Sequence, residues 1–191
     1  DPPSPPRLAF VRTPMWNKAD AETQSGFETL VKRLGTHVTQ IDLPEDYAAA
    51  WDDQRVIMAT DMAHNFGATV ARGGEASSQQ LRDLLAEGSR TNALRYLAAR
   101  KNASRYRAGL NGIFEDYDAI LTPSTTGVAP KGMATGNPVF NTLWSLTGLP
   151  AVTLPLLQGE SGLPIGVQLV GATGDDARLL RTAHWLADRL D

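Results

Sequence analysis

The alternation of two hydrophobic periodicities constrains the fold of this chain more than any other feature. Leu8-Ala-Phe-Val11 is a short apolar run ended by Thr13-Pro14, the pattern of a buried strand. From Asp20 to Leu34 the apolar positions Phe27, Leu30, Val31 and Leu34 follow i, i+3, i+4, i+7, which places them on one helix face. Asp20 suits the N-cap of that helix, Lys32 and Arg33 its last turn, and Gly35 the position just beyond it. Val38-Thr-Gln-Ile41 is rich in β-branched residues and predicts a second strand that stops before Pro44.

Three helices are predicted next. One runs from about Tyr47 to about Arg72, with Trp51, Met58, Met62, Phe66 and Val70 as its stripe and Gly73-Gly74 as its end. A short one around Leu81, Leu84 and Leu85 closes at Gly88, with Ser77-Ser78 as linker before it. A longer one spans about Arg90 to Tyr117, with Leu94, Leu97, Leu110, Ile113 and Phe114 on its apolar side.

The last third changes character. Ala119-Ile-Leu121 reads as a strand, followed by loop composition up to Pro138 and a short helical or turn segment from Phe140 to Leu146. Ala151-Val-Thr-Leu154 and Ile165-Gly-Val-Gln-Leu-Val170 flank the turn Gly159-Glu-Ser-Gly162 and predict an antiparallel pair. A final helix from Asp175 to about Leu190 presents Leu179, Ala183, Leu186 and Leu190 on one face. Interleaved strands and helices with an antiparallel pair near the end predict an α/β fold with a mixed β-sheet flanked by helices. The segment 1–6 reads as a Pro-rich linker and 7–191 as part of one domain.

Composition excludes several chemistries. With no cysteine, disulfides, thiolate nucleophiles and Cys-type zinc sites fall away. A net charge of −3 argues against general nucleic-acid binding. No apolar run approaches the roughly 18 residues of a membrane span. No charged-then-apolar leader opens the sequence, and a cytoplasmic location is the expectation. The first residue is Asp1, which suggests a start processed or cut from something longer.

The search for a nucleophile and its base finds none. Gly159-Glu-Ser161-Gly162 lacks the final glycine of a nucleophile elbow and fits a hairpin turn. His37, His64 and His184 share no motif, and no His-Glu-x-x-His pattern surrounds His64. Asp52-Asp53, Asp61 and Glu115-Asp116 match no calcium loop and read as solvated faces or caps. Gly171-Ala-Thr-Gly174 lies between strand and helix, but Asp175 and Asp176 put negative charge where a phosphate would sit, so a tight turn is expected. Arg90, Arg95, Arg100, Lys101, Arg105 and Arg107 form a basic stretch spread around more than one helix face, which reads as a solvated helix whose arginines pair with acids elsewhere.

Several ordered motifs carry a resemblance. They are Tyr117-Asp-Ala-Ile-Leu-Thr-Pro-Ser124, Phe140-Asn-Thr-Leu-Trp-Ser-Leu-Thr-Gly-Leu-Pro-Ala-Val-Thr-Leu-Pro155, Gly162-Leu-Pro-Ile-Gly-Val-Gln-Leu-Val-Gly171, and Asp175-Asp176 leading the last helix. Together they resemble the C-terminal end of the amidase-signature family. Leu8-Ala-Phe-Val-Arg-Thr-Pro14-Met-Trp16 and Asp42-Leu-Pro44 are similar to the segment downstream of the family's signature.

The resemblance implies the family's α/β/α fold and a Ser–cis-Ser–Lys triad that lies earlier in the chain than the part seen here. Lys18, Lys32, Lys101 and Lys131 do not sit in that catalytic context, so no catalytic residue, metal or cofactor is expected. The resemblance implies that Gly136 to Ser145 lines the substrate pocket, with Asn141 and Trp144 in front and Phe140 and Pro138 behind. Trp144 would give flat apolar area and Asn141 a hydrogen bond; ordinary core aromatics are an equal reading of Phe140 and Trp144. The implied partners are a small-molecule amide substrate and the missing N-terminal half of the domain, with a homo-oligomer possible and neither nucleic acid nor membrane. A non-catalytic binding module on the same scaffold is the second reading.

Overall fold

A computed structural model describes residues 5–73 and 76–190. Most of the segment read as a Pro-rich linker, and Gly74 at the second helix's end, lie outside those residues. Five strands, β1 (Leu8–Arg12), β2 (Val38–Asp42), β3 (Ala119–Pro123), β4 (Ala151–Gln158) and β5 (Pro164–Val170), form one sheet in the order β2-β1-β3-β5-β4. β1 pairs in parallel with β2 and β3, whereas β5 pairs antiparallel with β3 and β4. The sheet is therefore mixed, as the sequence predicts.

The pleat sends alternate residues to opposite faces, and each face has its own helical layer. On one face Leu8, Phe10, Leu121 and Leu169 pack with Phe27, Leu30 and Leu34 of α1 (Ala21–Leu34) and with Leu179, Ala183 and Leu186 of α6 (Asp176–Leu190). These are the positions the helical periodicity singled out. On the other face Ala9, Val11, Ile120 and Val170 meet Ala50 of α2 (Ala50–Gly73), Tyr106 and Leu110 of α4 (Ala93–Ile113), and Leu143 and Trp144 of α5 (Thr142–Thr147). The helix α3 (Gln79–Arg90) packs on α2. No described helix is long and apolar enough to cross a membrane.

The second layer departs from the sequence expectation in five places. α2 buries Ala50, Asp53 and Ala59, while Phe66 of the predicted stripe is 50% exposed. Neighbouring helices approach α2 too closely for large side chains. Gly88 shows this directly: it lies inside α3 and does not close it, and a Cβ there would collide with the Ala59 carbonyl and stand 2.8 Å from the Thr60 amide nitrogen.

On α4 the predicted apolar residues Leu94 and Leu97 are 81% and 60% exposed. Its first turns meet α2 through polar pairs instead, with Arg95 Nη1 2.6 Å from Asp53 Oδ1 and Tyr96 OH donating to Asp61 Oδ1 at 2.7 Å. Asp53 itself is 1% exposed and not solvated, because Arg95, Asn102 Nδ2 (3.0 Å) and Tyr106 OH (3.2 Å) satisfy its carboxylate. Burial, and then the Asp53 charge, hold the Tyr106 phenol above its ordinary pKa. Burial and Asp46 do the same for Tyr47. Ser78, in the expected linker, N-caps α3 by accepting from the Leu81 amide at 3.3 Å.

Candidate functional site

β3 delivers the chain to the open side of the β4–β5 pair, where Ser124 begins a long loop. The Ser124 amide donates to the Gly166 carbonyl at 3.1 Å and its Oγ donates to the same oxygen at 3.2 Å. Such a close approach requires glycine at 166, since a Cβ there would overlap Ser124 Oγ and lie 2.7 Å from Thr153 Cγ2. The loop is also tied to the start of α1. The Asp20 amide donates to the Thr126 carbonyl at 2.7 Å, and the Asp20 carboxylate fills the space beside Gly127. Asp20 does precede α1 as predicted, but its side chain makes no capping bond to that helix.

The chain returns through the 3-10 turn Pro138–Phe140 and α5. Trp51 Nε1 donates to the Val139 carbonyl at 2.9 Å and anchors that turn to α2. Phe140 is buried, and Pro138 is exposed at the surface. Asn141 links three elements: its Nδ2 donates to the Ser124 carbonyl at 2.9 Å, and its Oδ1 accepts from Gln168 Nε2 at 2.7 Å. Both ends of the Asn141 amide are thus engaged within the fold. Among the described residues, Gln168, only 4% exposed on β5, keeps Oε1 without a partner. Trp144, 2% exposed, likewise keeps Nε1 without one.

Two concavities flank this relay on the same face of the sheet. One, of about 370 Å³, is lined by Asn141, Trp144, Ser145, Leu149, Gln168 and Asp176, among others. The other, of about 540 Å³, lies under the loop after β3 and is lined by residues that include Ser124, Val128, Thr153, Pro155 and Gly166. Asn141 and Trp144 therefore come together beside one cleft. Gln168 and Gly166 join them without having been singled out in the sequence. The signal was present in the alternation of Val167-Gln168-Leu169, which turns Gln168 toward the helical layer where a polar group needs a partner.

The three histidines lie just before β2, on α2 and on α6. His37 packs edge-on against Trp185, His184 stands 3.5 Å from Asp188 on α6, and His64 is exposed on α2. Among the described residues no group of three or more His, Asp or Glu could hold a metal ion.

Known proteins share this architecture. A solved amidase structure superposes with a TM-score of 0.83 at 23% identity, covering 97% of this chain and 46% of that one. Peptide amidase from Stenotrophomonas maltophilia gives a TM-score of 0.71 at 20% identity, covering 97% and 43%. The chain thus spans less than half the length of these solved relatives. In sequence it is similar to a glutamyl-tRNA(Gln) amidotransferase subunit from Brevibacillus brevis, 43% identical over 82 residues, which is 39% of this chain and 17% of that protein. The corresponding protein of Cupriavidus necator is 39% identical over 97 residues, 47% of this chain and 19% of that protein. The model of the Amidase family matches residues 2–180, nearly the whole chain. With the sheet order, the motifs after Tyr117 and that match in agreement, the chain belongs to the Amidase family.

Proposed function

We propose that this chain is the C-terminal part of an amide hydrolase that converts a carboxylic amide to an acid and ammonia or an amine. Its own contribution is the sheet and one wall of the substrate pocket, carried by Asn141 and Trp144 with Phe140 and Pro138 behind. The nucleophile and its proton relay come from sequence that this chain does not contain. The observation that carries this reading is the Ser124–Asn141–Gln168 relay between two clefts, in a chain whose family acts on amides.

In this reading Asn141 works through its neighbours. It fixes the loop after β3 and holds the Gln168 amide, while Trp144, almost fully buried, backs the cleft from the core. The substrate is a small-molecule amide met in the cytoplasm. In this reading the N-terminal half pairs with β4, one of the two edge strands of the sheet, and a homo-oligomer of the isolated chain would use the same edge. The test is hydrolysis of simple amides by the purified chain, followed as ammonia release. No turnover is expected. Steady hydrolysis abolished by one point substitution within residues 1–191 overturns the reading.

A non-catalytic binding module on the same scaffold is the second reading, favoured by the lack of a nucleophile–base pair among the described residues. The coding sequence upstream of Asp1 separates the two: a Gly/Ser-rich signature with an earlier lysine in frame supports the hydrolase, and a start codon immediately upstream supports the module.

A further inference from the structure

The basic stretch from Arg90 to Arg107 divides into two sets. Arg95 and Arg105 pair with Asp53 and Asp46, and Arg90 Nε donates to the Ala86 carbonyl. Arg100 and Arg107 form no ion pair among the described residues. Seven residues apart, they lie about two turns along one face of α4. Both line a cleft of about 370 Å³ between α2, α4 and α5 that no carboxylate of the described residues lines.

Each guanidinium is held at one edge and open elsewhere. Arg107 Nε donates to the Thr147 carbonyl at the end of α5. Arg100 Nη1 donates to Tyr96 OH at 3.3 Å, and its guanidinium sits 5.9 Å from the centre of the same ring. The acid closest in this network, Asp61, is engaged by that tyrosine hydroxyl. A guanidinium carries five N–H donors, so most of those on both side chains remain available. The rest of the lining mixes apolar Ile57, Met58, Ala103 and Leu146 with polar Gln54, Ser104 and Ser145.

We propose that this cleft binds the carboxylate of a small molecule with an apolar stem. The planar fork of arginine matches a carboxylate in a bidentate manner, and Ile57, Met58 and Leu146 take the stem. Ser145 lines both this cleft and the one beside Asn141 and Trp144, so the two adjoin across α5. The site stands on the arginines alone, independent of amide hydrolysis.

The test titrates the purified chain with hexanoate, with hexanamide as its neutral counterpart and with inorganic phosphate as an anion without a stem. Binding is read as NMR shifts of the Arg100 and Ser104 backbone amides. Hexanoate is expected to saturate these shifts, and hexanamide and phosphate to bind at least about tenfold more weakly. Arg100→Gln is expected to weaken hexanoate about tenfold. Ser104→Glu, at an exposed position on the cleft wall, is expected to abolish binding by supplying its own carboxylate. Circular dichroism confirms that both variants fold. Hexanoate that fails to bind, binds no better than phosphate or hexanamide, or binds equally to both variants overturns the proposal and leaves the amide reading untouched.

Discussion

Replacing Asn141 with alanine tests whether the relay organises the site. The substitution leaves two groups behind. Gln168 loses the acceptor of its Nε2 while its Oε1 already lacks a partner, and at 4% exposure water does not compensate. A buried polar group left unpaired costs about 1–3 kcal/mol. The Ser124 carbonyl loses its Asn141 donor as well, but it is less buried, so the total is about 2–3 kcal/mol.

Asn141→Asp separates the two bonds. Its carboxylate still accepts from Gln168 but faces the Ser124 carbonyl with no proton between them. Burial and that carbonyl favour the protonated form, so the folded pKa is raised above the ordinary value of about 3.9. A raised folded value means the stabilising contact is present at low pH and fades as pH rises through it. The aspartate variant should therefore approach the native chain at about pH 4 and fall away toward about pH 7. Urea unfolding followed by tryptophan fluorescence measures both. An alanine variant within about 0.5 kcal/mol of the native chain, the range of ordinary surface changes, refutes the argument.

Three further outcomes are expected. Gly88→Ala should destabilise by at least about 1 kcal/mol, because the overlap with Ala59 outweighs the helical preference for alanine. Gly67→Ala on α2, where nothing lies within 4 Å, should instead stabilise by about 0.5–1 kcal/mol, and thermal unfolding compares the two. Asp53→Ala strands Asn102 Nδ2 and leaves Tyr106 OH only the Asp46 carbonyl as acceptor, and with Arg95 partly able to reach water the loss should be about 3 kcal/mol in a urea titration. Because the Tyr106 phenol is held above its usual pKa, folding favours its protonated form. Stability should be level below about pH 10 and decline above it, and Tyr106→Phe should flatten that decline in melting temperatures recorded from pH 8 to 11.

How much of this was legible depended on how each element is buried. α1 and α6 cover the sheet with one face each, so Phe27, Leu30, Leu34, Leu179, Ala183 and Leu186 stood out by spacing alone. α2 is enclosed on several sides by α3, α4 and α5, and close approach there selects Ala59 and Gly88, which carry no periodic signal. Asp53 looked like a surface acid because its partners arrive from α4, far along the sequence. At the site, the motif drew attention to Asn141 and Trp144. Gln168 was hidden inside an otherwise apolar strand, and Gly166 among many glycines; only pairing of β3 with β5 reveals why both are needed.

The sheet order also has a kinetic consequence. β4, β5 and α6 follow one another along the chain and touch one another, so their contacts close over short loops. β1 meets β3 only after α2, α3 and α4 have been traversed. Loop-closure entropy must be overcome before that parallel pairing is rewarded, and such non-local contacts slow folding. The clefts rest on β5, while the wall between them needs Ser124 at the end of β3. The binding surface is therefore completed by the long-range pairing, after the local hairpin that supports it.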